Sequence, residues 1–426
     1  MNATIVPSTL LDYDTLPTSP AQVWDLSRVF AAYWNSGIKI STTWDTDITP
    51  AGTASERRTG LSGKPVRTMQ VDLRSFQTRE AWQLYQMLRR FNYCRTVMPL
   101  YSDCAPCTGD NVGTRIYCHT SFRRFFLGGR VAVASLKHTR AGLGPEMAAF
   151  GTAIITAIHD DGLTLDTELA ASYGAKVWPL IEVEVGAQSN LSLTTDRVGS
   201  VNLMVKEVPG ASALPPLAEY GDDIGWPIYN SLPVLEPNIA GDPTRFSMGW
   251  TRNYRTTATG LGNVVTTMDT RPRAVRSFAY RPYSRAAAWS IMELFDAQCG
   301  ELHPLYFVNP ATLFDVVNMP STSSVRVVSS GPLSDYRDNP FMAFKKYYST
   351  DVYIRGITAF SRSGGIDTLT LNAALPFSSA NSIRKITTAC LGRFDSTGIT
   401  ESWLNGSICS LDFNAVELIN EHTVTF

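Results

Sequence analysis

The chain repeats itself, and this constrains its fold more than any other feature: a repeated stretch must form a unit that can sit beside its own copy. TTWDTDITPAG around Trp44 is answered by MGWTRNYRTTATG around Trp250, 206 residues later. At the same spacing Arg67 matches Arg273, Thr78-Arg79 matches Ser284-Arg285, Ala81 matches Ala287 and Leu88 matches Leu294. One residue then drops out. Cys94 falls on Cys299, and Pro99-Leu100-Tyr101 falls on Pro304-Leu305-Tyr306. The local signals keep the same order in both halves: a Trp-led strand, a Thr/Gly-rich turn, an Arg-bearing strand, a helix, then a Pro-Leu-Tyr segment.

Each half has one clear helix. In SFQTREAWQLYQMLRRF, Ser75 or Thr78 serves as cap, Arg89-Arg90 suit the negative end of the dipole, and Trp82, Tyr85, Leu88 and Phe91 form an apolar face. In PYSRAAAWSIMELFDAQCG, Ser284 caps, Ile291, Leu294 and Phe295 face inward, and Gly300 stands past the end. Elsewhere short strands dominate. VRTMQVDL alternates with Met69, Val71 and Leu73 on one side, and GRVAVAS, VWPLIEVEV, SVNLMVKEV and VRVVSS are rich in β-branched residues. DDG and SGG mark turns. SVNLMVKEV and the final AVELINEHTVTF read as equivalent closing strands. Between the halves lies the proline-rich EVPGASALPPLAEYGDDIGWPIYNSLPVLEPN, an exposed connection with a boundary near Pro209; WPIYNSLP opens the second copy. The expected architecture is mainly β (α+β): two tandem barrel-like or sandwich-like domains, 1–208 and 209–426, each with one packed helix.

Charge excludes some functions. Lys plus Arg number 37 against 38 Asp plus Glu, leaving no basic excess to release counterions from nucleic acid. Charged residues are only 18% of the chain, while 9 Trp, 17 Tyr and 19 Phe suit a surface hidden in an assembly. The start lacks the basic and apolar regions of a signal peptide. The longest apolar run, Met147 to Ile158, falls short of the ~20 residues a membrane span needs. Folding in the cytosol follows as the expectation, and there seven cysteines read as reduced thiols.

The order ITPAGTASERRTG, PVRTMQVDLRSF, TREAWQLYQMLRRF and VMPLYSD, echoed by TTATG, RPRAVRSFAYRP, SRAAAWSIMELF and LHPLYFVN, resembles the distal-tail and baseplate-hub group of bacteriophage tail-tip proteins. The second copy lacks the Glu-Arg that Glu56-Arg57 supply. The resemblance spans about 60 residues per copy. It implies a structural virion protein, not an enzyme, whose copies line a homo-oligomeric ring at the end of the tail tube. A trimer would present six similar domains and a hexamer twelve. The implied partners are tube, hub and fibre proteins, with no specific nucleic acid and no membrane span. The implied location is the virion tail, assembled in the host cytoplasm. The alternative is a receptor- or carbohydrate-binding tail protein, against which the inward-facing helix aromatics speak.

Chemistry finds few footholds. Cys104, Cys107, Cys118 and His119 have metal-like spacing, but a lone C-x-x-C is a weak signal, and reduced thiols in a surface loop are the plainer reading. Cys94 reads as core. No nucleophile elbow, H-E-x-x-H or P-loop occurs, and the five histidines are scattered. No catalytic, cofactor-binding or metal residues are assigned. Arg57-Arg58, Arg89-Arg90 and Arg123-Arg124 read as solvated charges beside turns and helix ends. SFRRFF reads as an alternating strand with its arginines outward.

Overall fold

The computed structural model describes residues 23–418, apart from 51–55, 76–77, 91–93, 112, 139–144, 172, 194–197, 209–213, 218–224, 237–244, 252–253, 260–261, 268–271, 334, 339, 350 and 405–407. The boundary expected near Pro209, the N-terminal leader reading and Phe91 lie outside the described residues. The protein is mainly β with few helices.

The first half runs β1 (Val23–Asp25), α1 (Ser27–Tyr33), β2 (Trp34–Thr43), the hairpin β3 (Thr46–Pro50) and β4 (Glu56–Gly60), β5 (Val66–Ser75), α2 (Thr78–Arg90) and β6 (Arg95–Pro99). It continues through β7 (Ala105–Pro106), β8 (Arg115–Tyr117), β9 (Arg130–His138), β10 (Pro145–His159) and β11 (Gly162–Leu165) to the long β12 (Lys176–Leu193) and β13 (Gly199–Glu207). The second half begins with β14 (Ile228–Tyr229), β15 (Leu232–Leu235), β16 (Arg245–Thr251), the hairpin β17 (Tyr254–Thr259) and β18 (Gly262–Thr267), β19 (Arg273–Tyr280), α3 (Arg285–Ala297) and β20 (Leu305–Val308). It ends with β21 (Val316–Ser321), β22 (Ser324–Val328), α4 (Asp335–Asp338), β23 (Phe341–Lys346), β24 (Val352–Ser363), β25 (Ile366–Leu371), β26 (Ile383–Trp403) and β27 (Cys409–Glu417).

Pairing recurs strand for strand. The parallel pair β1·β6 returns as β15·β20. The antiparallel series β2·β5, β5·β13, β13·β12 and β12·β6 returns as β16·β19, β19·β27, β27·β26 and β26·β20. Each half then inserts a smaller curled lobe, β7 to β11 or β21 to β25, with its own apolar core. The hairpins β10·β11 and β24·β25 turn at the expected DDG and SGG.

Rows across the sheet set the residue correspondence. Ser189, Leu203, Val71 and Ile38 lie in one row; Ile399, Phe413, Phe278 and Phe246 lie in the matching one. This register corrects the sequence reading. Trp250 matches Thr42 rather than Trp44, which lies beyond the end of β2. Val97 matches Tyr306, since each follows the parallel partner strand and pairs in step with β12 or β26. The two Pro-Leu-Tyr segments are therefore coincidental: one closes β6 and the other opens β20. Cys94 directly precedes β6, whereas Cys299 stands well ahead of β20 at the end of α3, so they too are not equivalent. The strand equivalent to SVNLMVKE is SLDFNAVE of β27, so the expected AVELINEHTVTF enters only through its first residues, and INEHTVTF lies outside the described residues.

The helices pack as 3.6-residue periodicity requires. On α2 the buried set is Ala81, Leu84, Met87 and Leu88, and Trp82 is exposed. A stripe drawn at every third residue drifts off the true face, so of the expected Trp82, Tyr85 and Leu88, Leu88 is buried, Tyr85 packs partly against the core and Trp82 lies outside. On α3, Ile291, Leu294 and Phe295 are buried, and the Ser284 hydroxyl accepts the Ala287 N–H at 3.1 Å.

The sheets are large and antiparallel, and among the described residues none closes into a barrel. The first curled lobe runs β12, β9, β10, β11, β8, and meets β7 through a single bridge, Cys107 to Cys118, instead of a ladder. SFRRFF is not a strand: Phe122 has φ of +55°, and Arg124 turns inward. Met147 to Ile158 lies within β10. The expected exposed connection is packed at Leu214 and Leu217, which belong to the central core, and exposed at Pro227 and Ile228.

Candidate functional site: the joint between the halves

The halves meet strand to strand. β2 of the first half pairs antiparallel with the tail of β26, Ile38 opposite Trp403, Ile40 opposite Glu401 and Thr42 opposite Ile399. The contact is head to tail, because it joins unlike elements of the two halves. A break in the β26·β27 register between Phe394 and Ile399 redirects the tail. Gly398 sits at that break with φ of +73°, and a Cβ there would collide with the Thr42 carbonyl. Only glycine meets both demands. One central core then runs through both halves, from Leu26, Phe30 and Trp178 to Trp289, Phe394 and Trp403.

Three buried ionic clusters cross the joint. In the first, Asp103 and Arg124 of the curled lobe meet Arg285 of α3 and Glu401 of β26. Arg124 Nη1 donates to Asp103 Oδ2 at 3.0 Å and its Nη2 to Glu401 Oε1 at 2.6 Å. Arg285 also pairs with Asp103, and its guanidinium lies over the Trp403 ring, 4.5 Å from the centroid. Trp403 Nε1 donates to Glu401 Oε2 at 2.8 Å. In the second, Arg67 binds Glu207 at 3.2 Å and lies 3.7 Å from Asp296, which also accepts from Trp44 Nε1 at 3.2 Å and the Leu217 N–H at 3.0 Å. In the third, Glu56, carried over on the β3·β4 hairpin, pairs with Arg273 and with Arg393 at 2.8 Å; Arg393 continues to Glu301 at 3.2 Å.

The reading of Arg123-Arg124 as a solvated pair therefore fails for Arg124, which is buried. Its role is legible only in three dimensions, since Asp103 and Glu401 are distant in sequence. The signal available for Arg67 was phase: it falls on the same face as Met69, Val71 and Leu73. Glu207 continues the face of Val201, Leu203 and Val205, and Glu401 sits between Ile399 and Trp403. A charge in step with an inward apolar series predicts a buried ion pair.

These charges make the joint acid-sensitive. Burial alone would lift the Asp103 carboxyl, but Arg285, Arg124 and hydrogen bonds from Ser102 and the Arg124 N–H hold it at about 2. Burial likewise opposes ionisation of Glu56, yet Arg393 and Arg273 keep it below the usual carboxylate range. A depressed folded pKa adds stability that is complete above the unfolded value and lost as pH falls through the folded one. Asp103 should contribute about 2 kcal/mol that disappears between roughly pH 4 and pH 2. Denaturant midpoints across this window should fall, and Asp103→Asn, already weakened, should show a shallower slope.

The cysteine cluster is brought together only in part. Cys107 and Cys118 face each other across the bridge and point into the lobe core; Cys104 is half-buried nearby. His119 follows Cys118 directly, so it projects to the other side and is exposed. Burial pushes the Cys104 and Cys107 thiols up to about 11 and Cys118 up to about 12, so they hold their protons at neutral pH. Among the described residues no group of three or more His, Cys, Asp or Glu is placed to hold a metal. A groove of about 1030 Å³ beside α3 is lined by Trp226, Tyr229, Tyr280, Lys345, Tyr353 and Arg355. Its Glu236 is held by Lys345 at 3.0 Å and Lys385 at 3.8 Å.

No family model and no curated protein matches the chain. A solved structure, the N-terminal CBM22-1-CBM22-2 tandem domain from Paenibacillus barcinonensis Xyn10C, aligns with 89% of this chain and 93% of its own at 8% identity, with a TM-score of 0.10. That score is far below what a shared fold gives.

Proposed function

We propose that this chain is a structural subunit of a bacteriophage tail tip, built from two tandem domains, 1–208 and 209–426, that assemble with further copies into a ring. Its work is mechanical: it joins the tail tube to hub and fibre proteins in a virion tail put together in the host cytoplasm. The tail assignment rests on the resemblance carried by the segments from ITPAGTASERRTG to VMPLYSD and by the second-half echoes TTATG, RPRAVRSFAYRP and SRAAAWSIMELF, the Pro-Leu-Tyr echo having dropped out. The ring rests on one observation, the head-to-tail joint between two halves of like strand order. A contact between unlike surfaces of like units repeats around a rotation axis and closes into a ring when the rotation permits.

The aromatic argument against a glycan-binding role holds for α3, where Trp289 is buried, but not for α2, where Trp82 is exposed beside Tyr85. The assembly reading therefore stands on the joint and not on that argument. Mass photometry and negative-stain images of the purified chain at tens of micromolar should show rings of three or six chains. A stable monomer would overturn the proposal, and glycan-array binding by that monomer would favour the receptor-binding alternative.

A further inference from the structure

We infer that the outer edge of β16 is the docking site for the β12 tail of a second copy of this chain, in one defined register. The inference rests on the ring reading and names its interface.

The joint inside the chain supplies the template. There the outer edge of β2 receives the tail of β26. By the sheet rows, β2 corresponds to β16, with Ile38, Ile40 and Thr42 matching Phe246, Met248 and Trp250. The tail of β26, Ile399 to Trp403, corresponds to Ser189 to Leu193 of β12, because both pair with equivalent residues of β27 and β13. Within the described ladders, β16 pairs only with β19 and the tail of β12 only with β13. Each half thus has one receiving edge and one delivering tail. Inside the chain one of each is used, and one of each is left over.

Burial separates the used pair from the spare one. Thr42 is 3% exposed, and its counterpart Trp250 is 80% exposed; Ile40 is 0% and Met248 is 55%. On the other strand Trp403 is 2% exposed and Leu193 is 55%. These three sheet positions are therefore covered at the joint and bare at the ends, although the bare ones carry Trp, Met and Leu; beside them Phe246 and Leu191 are half-buried against the central core. Exposed edges are ordinarily guarded by charges or prolines that prevent further strand addition. β16 has one charge, Arg245 at its first residue, and the rest of it, Phe246 to Thr251 (FSMGWT), like Ser189 to Leu193 (SNLSL), contains neither. An apolar edge without charge or proline over six consecutive residues fits a strand partner, and another copy of the chain offers the complementary edge in the tail of its β12.

The template also fixes the pairing. Phe246 should lie opposite Leu193 of the next chain, Ser247 opposite Ser192, Met248 opposite Leu191, Gly249 opposite Asn190 and Trp250 opposite Ser189. One-residue slippage would turn the apolar side chains to the other face, so the register is strongly selected.

The test is disulfide trapping on the full chain. Ser247 and Ser192 are exposed, and opposed residues of antiparallel strands lie about 4.5–5.5 Å apart. The Ser192→Cys/Ser247→Cys variant, oxidised mildly at tens of micromolar, should give covalent dimers and higher species on denaturing non-reducing gels. Each single variant should give several-fold less of these species. Asn190→Cys/Ser247→Cys, displaced by two residues, should also link several-fold less. Mass photometry of the unsubstituted chain, run alongside, separates the two ideas. Rings without the Ser192–Ser247 link, equal linking by the displaced pair, or a link formed within one chain would overturn the register while leaving the ring reading intact. A monomer that forms no link would overturn both.

Discussion

Arg124→Ala lowers the unfolding free energy by about 3–5 kcal/mol, as expected for breaking a buried ionic cluster by removing one partner. The side chain is 1% exposed, and its removal takes from Glu401 its direct ion pair and leaves Asp103 with Arg285 alone. Uncompensated buried charge, more than the lost attraction, sets the size of the effect. Arg123→Ala is the natural control: its Nε donates to the His119 carbonyl at 3.0 Å on an exposed turn, and its loss should cost under about 1 kcal/mol. Urea titrations followed by tryptophan fluorescence measure both. If the two variants unfolded at the same denaturant concentration, the ionic cluster would have no part in holding the halves together.

Trp403→Ala should cost a similar 3–5 kcal/mol by a different route. The ring fills the core beneath Arg285, and its indole N–H satisfies Glu401. Truncation leaves both a cavity and a partly unpaired carboxylate. The damage should be directional. Amide exchange should accelerate first in β2 and the tail of β26, which Trp403 helps clamp, and last in β12·β13 of the first half. Uniform acceleration across all strands would show instead that the halves open as one unit. Trp82→Ala, on the exposed side of α2, should leave both stability and exchange nearly unchanged.

Much of the local structure could be read before any coordinates. The strand VRTMQVDL, the cap at Ser284 and the inward face of α3 rest on periodicity and capping chemistry, which operate over a few residues. Repetition was legible as an order of elements but not as a residue correspondence. The spacing between matched positions is 208 for β2 and β16, 207 for β5 and β19, 209 for β6 and β20, and 210 for β12 and β26 in the rows named above. A constant offset of 206 catches chance identities such as Trp44 with Trp250, whereas hydrogen-bond rows do not. The ionic clusters escaped because their members lie far apart in sequence: Arg124 and Glu401 are neighbours only because a curled lobe of one half folds onto a strand of the other. Still, Arg67, Glu207 and Glu401 each occupy the inward phase of an apolar strand, and that misplacement was the visible trace of the joint.

The continuous core has a consequence for stoichiometry. Since apolar side chains from both halves pack as one body, the halves come as a fixed couple and cannot be dealt out singly. Any circle made from whole chains therefore has an even number of lobes. The lobes alternate in surface chemistry even where their backbones agree: the first exposes Leu127 and Ile154, the second Val317 and Val328. A neighbour that reads shape alone would meet every lobe alike, while one that reads side chains would find a foothold on every other lobe, so a single annulus could couple two assemblies of different rotational order.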